Sequence, residues 1–153
     1  MFTMHNAKEQ RSMNEKKNDE IKLTIPNKPE YVSVVRLTVS SIANRMGFDV
    51  EQIEDIKIAT AEACTNAITH GKCDVEESFD IKFIIDEGKL VISVFDNGKG
   101  CMINNIKKPD LINPKEGGLG IFIIKSLMDD VKITSDADKG TTIIMTKYVG
   151  EDT

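Results

Sequence analysis

The chain has 153 residues, a length that buries one hydrophobic core rather than two, so a single domain with a single site is expected. Hydrophobic residues make up 40% and charged residues 29%, ordinary for a globular protein, and no apolar run approaches the roughly 20 residues of a membrane span. A formal net charge of −5 without a long lysine or arginine run argues against direct nucleic-acid binding, which needs a basic footprint on the phosphate backbone.

Residues 1–19 are rich in Asn, Lys, Glu and Gln and read as a flexible leader. They lack the apolar stretch of a secretory signal, so a cytoplasmic protein is expected, with the domain proper spanning residues 20–153. Cys64, Cys73 and Cys101 form no CxxC pair and are read as reduced thiols.

From Glu20 onward the pattern becomes that of a folded chain. Ile21, Leu23 and Ile25 alternate with polar residues, which predicts a half-buried strand ending at Pro26. Val35, Val39, Ile42 and Met46 recur at helical spacing before Gly47 and predict a first helix. Asp49 with Gln52 three places on has the form of a capping box, opening a second helix over 50–70 that stops at Gly71. Phe79–Ile85 and Leu90–Phe95 both alternate around a short turn at 86–89, an antiparallel hairpin. Turn formers from Cys101 to Glu116 predict a long loop, after which Gly117–Gly118–Leu119–Gly120 opens a helix over 121–128. Val131–Thr134 and Thr141–Tyr148 complete a final hairpin around Lys139–Gly140. The order β-α-α-β-β-loop-α-β-β predicts an α+β two-layer sandwich, with helices on one face of a mixed, largely antiparallel sheet.

Three clusters carry chemistry. Glu62, Asn66 and His70 are four apart on the second helix and form one polar stripe among alanines, which suits oxygen ligation of a hard cation; a solvated helix face fits the same spacing. Asp96–Asn97–Gly98–Lys99–Gly100 leaves an apolar strand with a carboxylate beside backbone that a ligand can approach closely, although a plain strand-ending turn reads the same way. The glycine run at 117–120 ahead of a helix supplies open amides for an anion, or simply loop flexibility. No GxxxxGK[ST] is present, so a nucleotide pocket here is not built on a Walker-type loop.

In this order and spacing the sequence resembles the anti-sigma-factor serine-protein kinases, of the superfamily that includes gyrase, heat-shock-90, histidine-kinase and MutL ATPase domains. The likeness spans residues 20–148 and is specific at 59–71 (ATAEACTNAITHG), 96–100, 117–129 (GGLGIFIIKSLMD) and 140–142. The wording at Glu116–Gly120 and at Arg36–Val39 favours the general-stress, RsbW-type branch over the sporulation branch, whose lid carries an arginine where this chain has Lys115 and Glu116. The resemblance implies a Bergerat-type ATP-binding fold, ATP and Mg2+ as cofactors, and a protein serine kinase. Such a kinase sequesters a stress-response sigma factor and phosphorylates a serine of its anti-anti-sigma antagonist. It further implies that Glu62 is the catalytic base, that Asn66 coordinates magnesium, and that Asp96 accepts the adenine amino group. Gly98, Gly100 and Thr141 would frame the base, Gly118, Leu119 and Gly120 would meet the phosphates beneath a lid at 101–116, and Arg36 would contact a partner. A homodimer is implied as well. An ATP-sensing partner-binding module without phosphotransfer is the alternative. An orphan histidine-kinase domain is disfavoured, because the leader has no room for a phosphoacceptor helix.

Overall fold

The computed structural model describes residues 18–70, 77–96, 114–136 and 140–150. The chain forms β1 (Asp19–Pro26), a 3-10 turn at Pro29–Tyr31, α1 (Val32–Met46), α2 (Val50–His70), β2 (Ser78–Asp86), β3 (Lys89–Asp96), α3 (Pro114–Leu127), β4 (Asp130–Asp136) and β5 (Gly140–Tyr148). The strands make one five-stranded sheet in the order β1-β2-β3-β5-β4, with antiparallel pairing throughout. The α+β sandwich of the sequence reading is observed, with a fully antiparallel sheet in place of a mixed one.

Local signals account for the boundaries. α1 ends in a Schellman motif: Gly47 adopts φ 93°, its N–H donates to Asn44 O, and the Phe48 N–H reaches back to Ala43 O. Buried Phe48 supplies the hydrophobic contact that accompanies this motif. The capping box at the start of α2 is reciprocal, with Gln52 N donating to Asp49 Oδ1 at 2.8 Å and Asp49 N donating to Gln52 Oε1 at 3.2 Å. Between β2 and β3 the turn is Glu87–Gly88, with Gly88 at φ 79° and the Asp86 carboxylate accepting the Glu87 N–H.

One face of the sheet supplies Phe79, Ile81, Phe83, Leu90, Ile92, Val94, Ile143 and Met145 to the core. These pack against Ile56, Ala59, Ala63 and Ala67 of α2, against Val35 and Val39 of α1, and against Ile124 of α3. The alanines let α2 lie close over β3 in the middle of the helical layer, between α1 and α3. Helix α3 departs from the sequence reading. It starts at Pro114, so the glycine run lies within its first two turns instead of ahead of it. Proline is accepted at a first helical position, and glycine weakens a helix interior without forbidding it.

Candidate functional site

A cavity of about 650 Å³ opens between the helical layer and the end of the sheet nearest the glycine run. Strand register builds its floor. Asp96, Thr141 and Ser135 stand side by side on β3, β5 and β4, and Val94, Ile143 and Ile133 form the next row on the same face. Ala63, Asn66 and Ala67 of α2 make one wall. Gly118, Ile121, Phe122 and Lys125 of α3, at helical i, i+3, i+4 and i+7 spacing, make the other.

Asp96 is 5% exposed, and the Thr141 N–H donates to its Oδ1 at 3.4 Å. Thr141 is itself held from β4, where its hydroxyl lies 3.2 Å from Ser135 Oγ. A carboxylate buried beside the Thr141 amide and above an apolar row is an oriented acceptor for a donor arriving through the cavity, since burial strengthens any hydrogen bond formed there.

Glu62 and Asn66, one turn apart on α2, face α3 at Gly120. A β-carbon at Gly120 would lie 3.2 Å from Glu62 Oε1, tighter than ordinary contact, and 4.0 Å from Asn66 Oδ1, so the bare glycine leaves room for the Glu62 carboxylate. Gly118 lines the cavity and has no neighbour within 4 Å of a built β-carbon. Leu119 is exposed on α3 outside the lining. Gly98, Gly100 and the 101–113 part of the expected lid lie outside the described residues, as does the side chain of His70. Arg36 is exposed on α1, which contributes nothing to the cavity; beside it stand Leu37, 72% exposed, and exposed Val34.

Cys64 is buried and free, and burial pushes its thiol up from 9.0 to about 12, so it stays protonated and unreactive at neutral pH. Sequence reasoning missed Ile121, Phe122, Lys125, Ile133 and Ser135 as lining residues. The spacing of the first three from Gly118 was present in the sequence; Ile133 and Ser135 come into place only through the β4–β5 register.

The cavity suits a nucleotide: its volume lies in the range of small-molecule sites, its floor has a polar row of Asp96, Thr141 and Ser135 beside an apolar row of Val94, Ile143 and Ile133, and the Asn66 amide stands in its wall. Among the described residues no group of three or more His, Cys, Asp or Glu side chains could hold a metal ion. No helix among the described residues is long and apolar enough to cross a membrane.

A histidine kinase-like ATPase domain model matches residues 25–147. Serine-protein kinase RsbW of Bacillus thuringiensis (strain Al Hakam) is 45% identical over 140 residues, covering 86% of each chain. RsbW of Bacillus anthracis is 44% identical over the same length. Among solved structures, the RsbU and RsbW domains of a Mycobacterium tuberculosis protein superpose with a TM-score of 0.66 at 20% identity, over 88% of this chain and 33% of that one. The SiaB–SiaC complex of Pseudomonas aeruginosa gives a TM-score of 0.56 at 11% identity, over 96% of this chain and 98% of that one. At such identities these two structures speak to the fold alone.

Proposed function

The chain belongs to the RsbW serine-protein kinases of the histidine kinase-like ATPase family, and from that premise we propose that it is an anti-sigma factor that phosphorylates its own antagonist. In this reading it sequesters a stress-response sigma factor and uses Mg-ATP to phosphorylate a serine of an anti-anti-sigma protein, acting in the cytoplasm as a homodimer. Residues 20–153 would form the kinase domain behind the leader at 1–19. The observation that carries the reading is a nucleotide-sized cavity with a buried carboxylate at Asp96 on its floor and Asn66 in its wall, with Glu62 one helical turn from Asn66 and facing Gly120 just outside the lining.

ATP use comes with the family. The adenine amino group would donate to Asp96, which the Thr141 amide orients, while Val94, Ile143, Ala67 and Ile121 enclose the ring. That pose would point the phosphates toward Asn66 and the glycine run, and by the family pattern Gly98 and Gly100, which lie outside the described residues, would frame the base. Asn66 would hold magnesium, which supplies charge neutralisation to the phosphates when bound. Glu62 accepts the proton of the substrate serine as its oxygen bonds to the terminal phosphorus. The bond from that phosphorus to the bridging oxygen breaks, and ADP leaves with the electron pair. Phosphoryl transfer asks little more of a protein than positioning and one placed base. The exposed Arg36, Leu37 and Val34 of α1 lie outside the cavity and suit a protein partner.

Transfer of label from Mg-ATP to a serine of the antagonist, lost by about 10²- to 10⁴-fold in Glu62→Gln with ATP binding retained, is the expected outcome. ATP binding by the wild type without transfer of label would leave an ATP-sensing, partner-binding module.

A further inference from the structure

Lys147 stands where the alternation of β5 asks for an apolar side chain. Ile143 and Met145 enter the core beneath the helices, and residue 147 follows them on the same face, paired with buried Leu90 of β3. Lys147 is 8% exposed. Its ammonium donates to the carbonyl of Leu127, the last residue of α3, and lies 4.0 Å from Asp55 Oδ2 on α2. Other bonds tie the same end of the molecule. Asp129 N donates to Thr146 O at 2.9 Å, Tyr148 N donates to Asp129 Oδ2 at 2.7 Å, and Gln52 Nε2 donates to Tyr148 O at 3.2 Å.

The two helices that form the cavity walls are thus pinned to β5 at one end, and farther along, at the middle of α2, Gly120 of α3 approaches Glu62. A buried cation with one carboxylate at this distance is a poor source of stability, and an apolar residue of similar length would fold as well. What the ammonium adds is a directional bond to the end of α3. Leu127 lies about 10 Å along the helix axis from Gly120, with continuous helix between them, so a shift at one end is carried to the other.

We propose that Lys147 is a positioning residue for phosphotransfer: by holding the C-terminal end of α3 against α2, it sets the approach of Gly120 to Glu62. The proposal rests on the kinase reading above. A misplacement of about 1 Å at a reacting centre costs on the order of 10²-fold in rate, so a small tilt of α3 costs turnover more steeply than it costs the apolar contacts that Ile121 and Phe122 make along the cavity wall.

The test compares wild type, Lys147→Met and Lys147→Arg for turnover at saturating Mg-ATP, ATP Kd and Tm. For Lys147→Met, turnover per folded molecule is expected to fall about tenfold while ATP Kd moves less than about threefold. Lys147→Arg, which keeps a cationic donor, is expected to restore most of the turnover. Unchanged turnover in Lys147→Met, or a loss that Lys147→Arg does not repair, overturns the proposal. If Lys147→Met does not fold, Asp55→Asn at the half-buried partner decides: a two- to threefold lower turnover at unchanged Kd supports the proposal and wild-type turnover overturns it. Failure of the wild type to transfer phosphate at all overturns the kinase reading instead.

Discussion

At Asp96 the alternation of β3 puts a carboxylate on the core side of the sheet, after Leu90, Ile92 and Val94 have filled the same row. Burial there is costly unless the group has donors, and one is the Thr141 amide from the neighbouring strand. If the adenine amino group is another, Asp96→Ala weakens ATP binding by about 1.5–3 kcal/mol, roughly 10- to 100-fold in Kd, as titration calorimetry would read. An unchanged Kd would place the base elsewhere. Cys64 gives a prediction in pH. Its folded thiol titrates near 12 against 9.0 for the exposed group, so below pH 9 its contribution to stability is complete. From pH 9 to 12 the unfolded chain loses a proton that the folded chain keeps, and stability falls by up to about 1.4 kcal/mol per pH unit. Urea unfolding at pH 8.5, 9.5 and 10.5 (about one unit apart, to span this decline) should show the extra fall in wild type and not in Cys64→Ala. Parallel behaviour of the two proteins would mean that the thiol is hydrated.

Helix α3 shows how two glycines of one run differ at the scale of the element. Gly118 faces open space, and in a helix interior alanine is the better residue, so Gly118→Ala should raise stability by about 0.5–1 kcal/mol. Gly120 faces the Glu62 carboxylate at 3.2 Å from a built β-carbon. Gly120→Ala asks that carboxylate to give by a few tenths of an ångström, and Gly120→Val asks for more. Phosphotransfer should therefore drop steeply through that series while Gly118→Ala keeps its Tm gain in thermal melts. Equal turnover for Gly120→Val and wild type would remove Glu62 from the reacting centre. Only the packing of α2 against α3 separates the two positions, since within the sequence they are the same residue two apart.

Across the whole molecule, the cavity and the exposed α1 patch occupy different parts of the helical layer, so nucleotide and partner binding should separate by mutation. Arg36→Glu with Leu37→Asp is expected to weaken sigma-factor binding by at least about tenfold in pull-down or interferometry and to leave ATP Kd unchanged, in line with the weight that central arginine and apolar anchors carry at interfaces. Loss of ATP binding in that double variant would mean that α1 supports the cavity. Much of this architecture was legible in the sequence. Period-2 and period-3.6 apolar spacing placed the strands and helices of the described chain, Asp49 with Gln52 announced its own capping box, and Gly47 announced the end of α1, because such signals act between residues a few positions apart. The start of α3 was not legible, since proline and glycine read locally as loop and are helical here at Pro114–Gly120. The same holds for the floor row of Asp96, Thr141 and Ser135, for the meeting of Glu62 with Gly120, and for the burial of Lys147 against Leu127. By itself the sequence determined the elements and the residues able to do chemistry. Which of those residues meet was decided by strand register and helix packing, because such contacts join positions far apart in the chain that no local pattern relates.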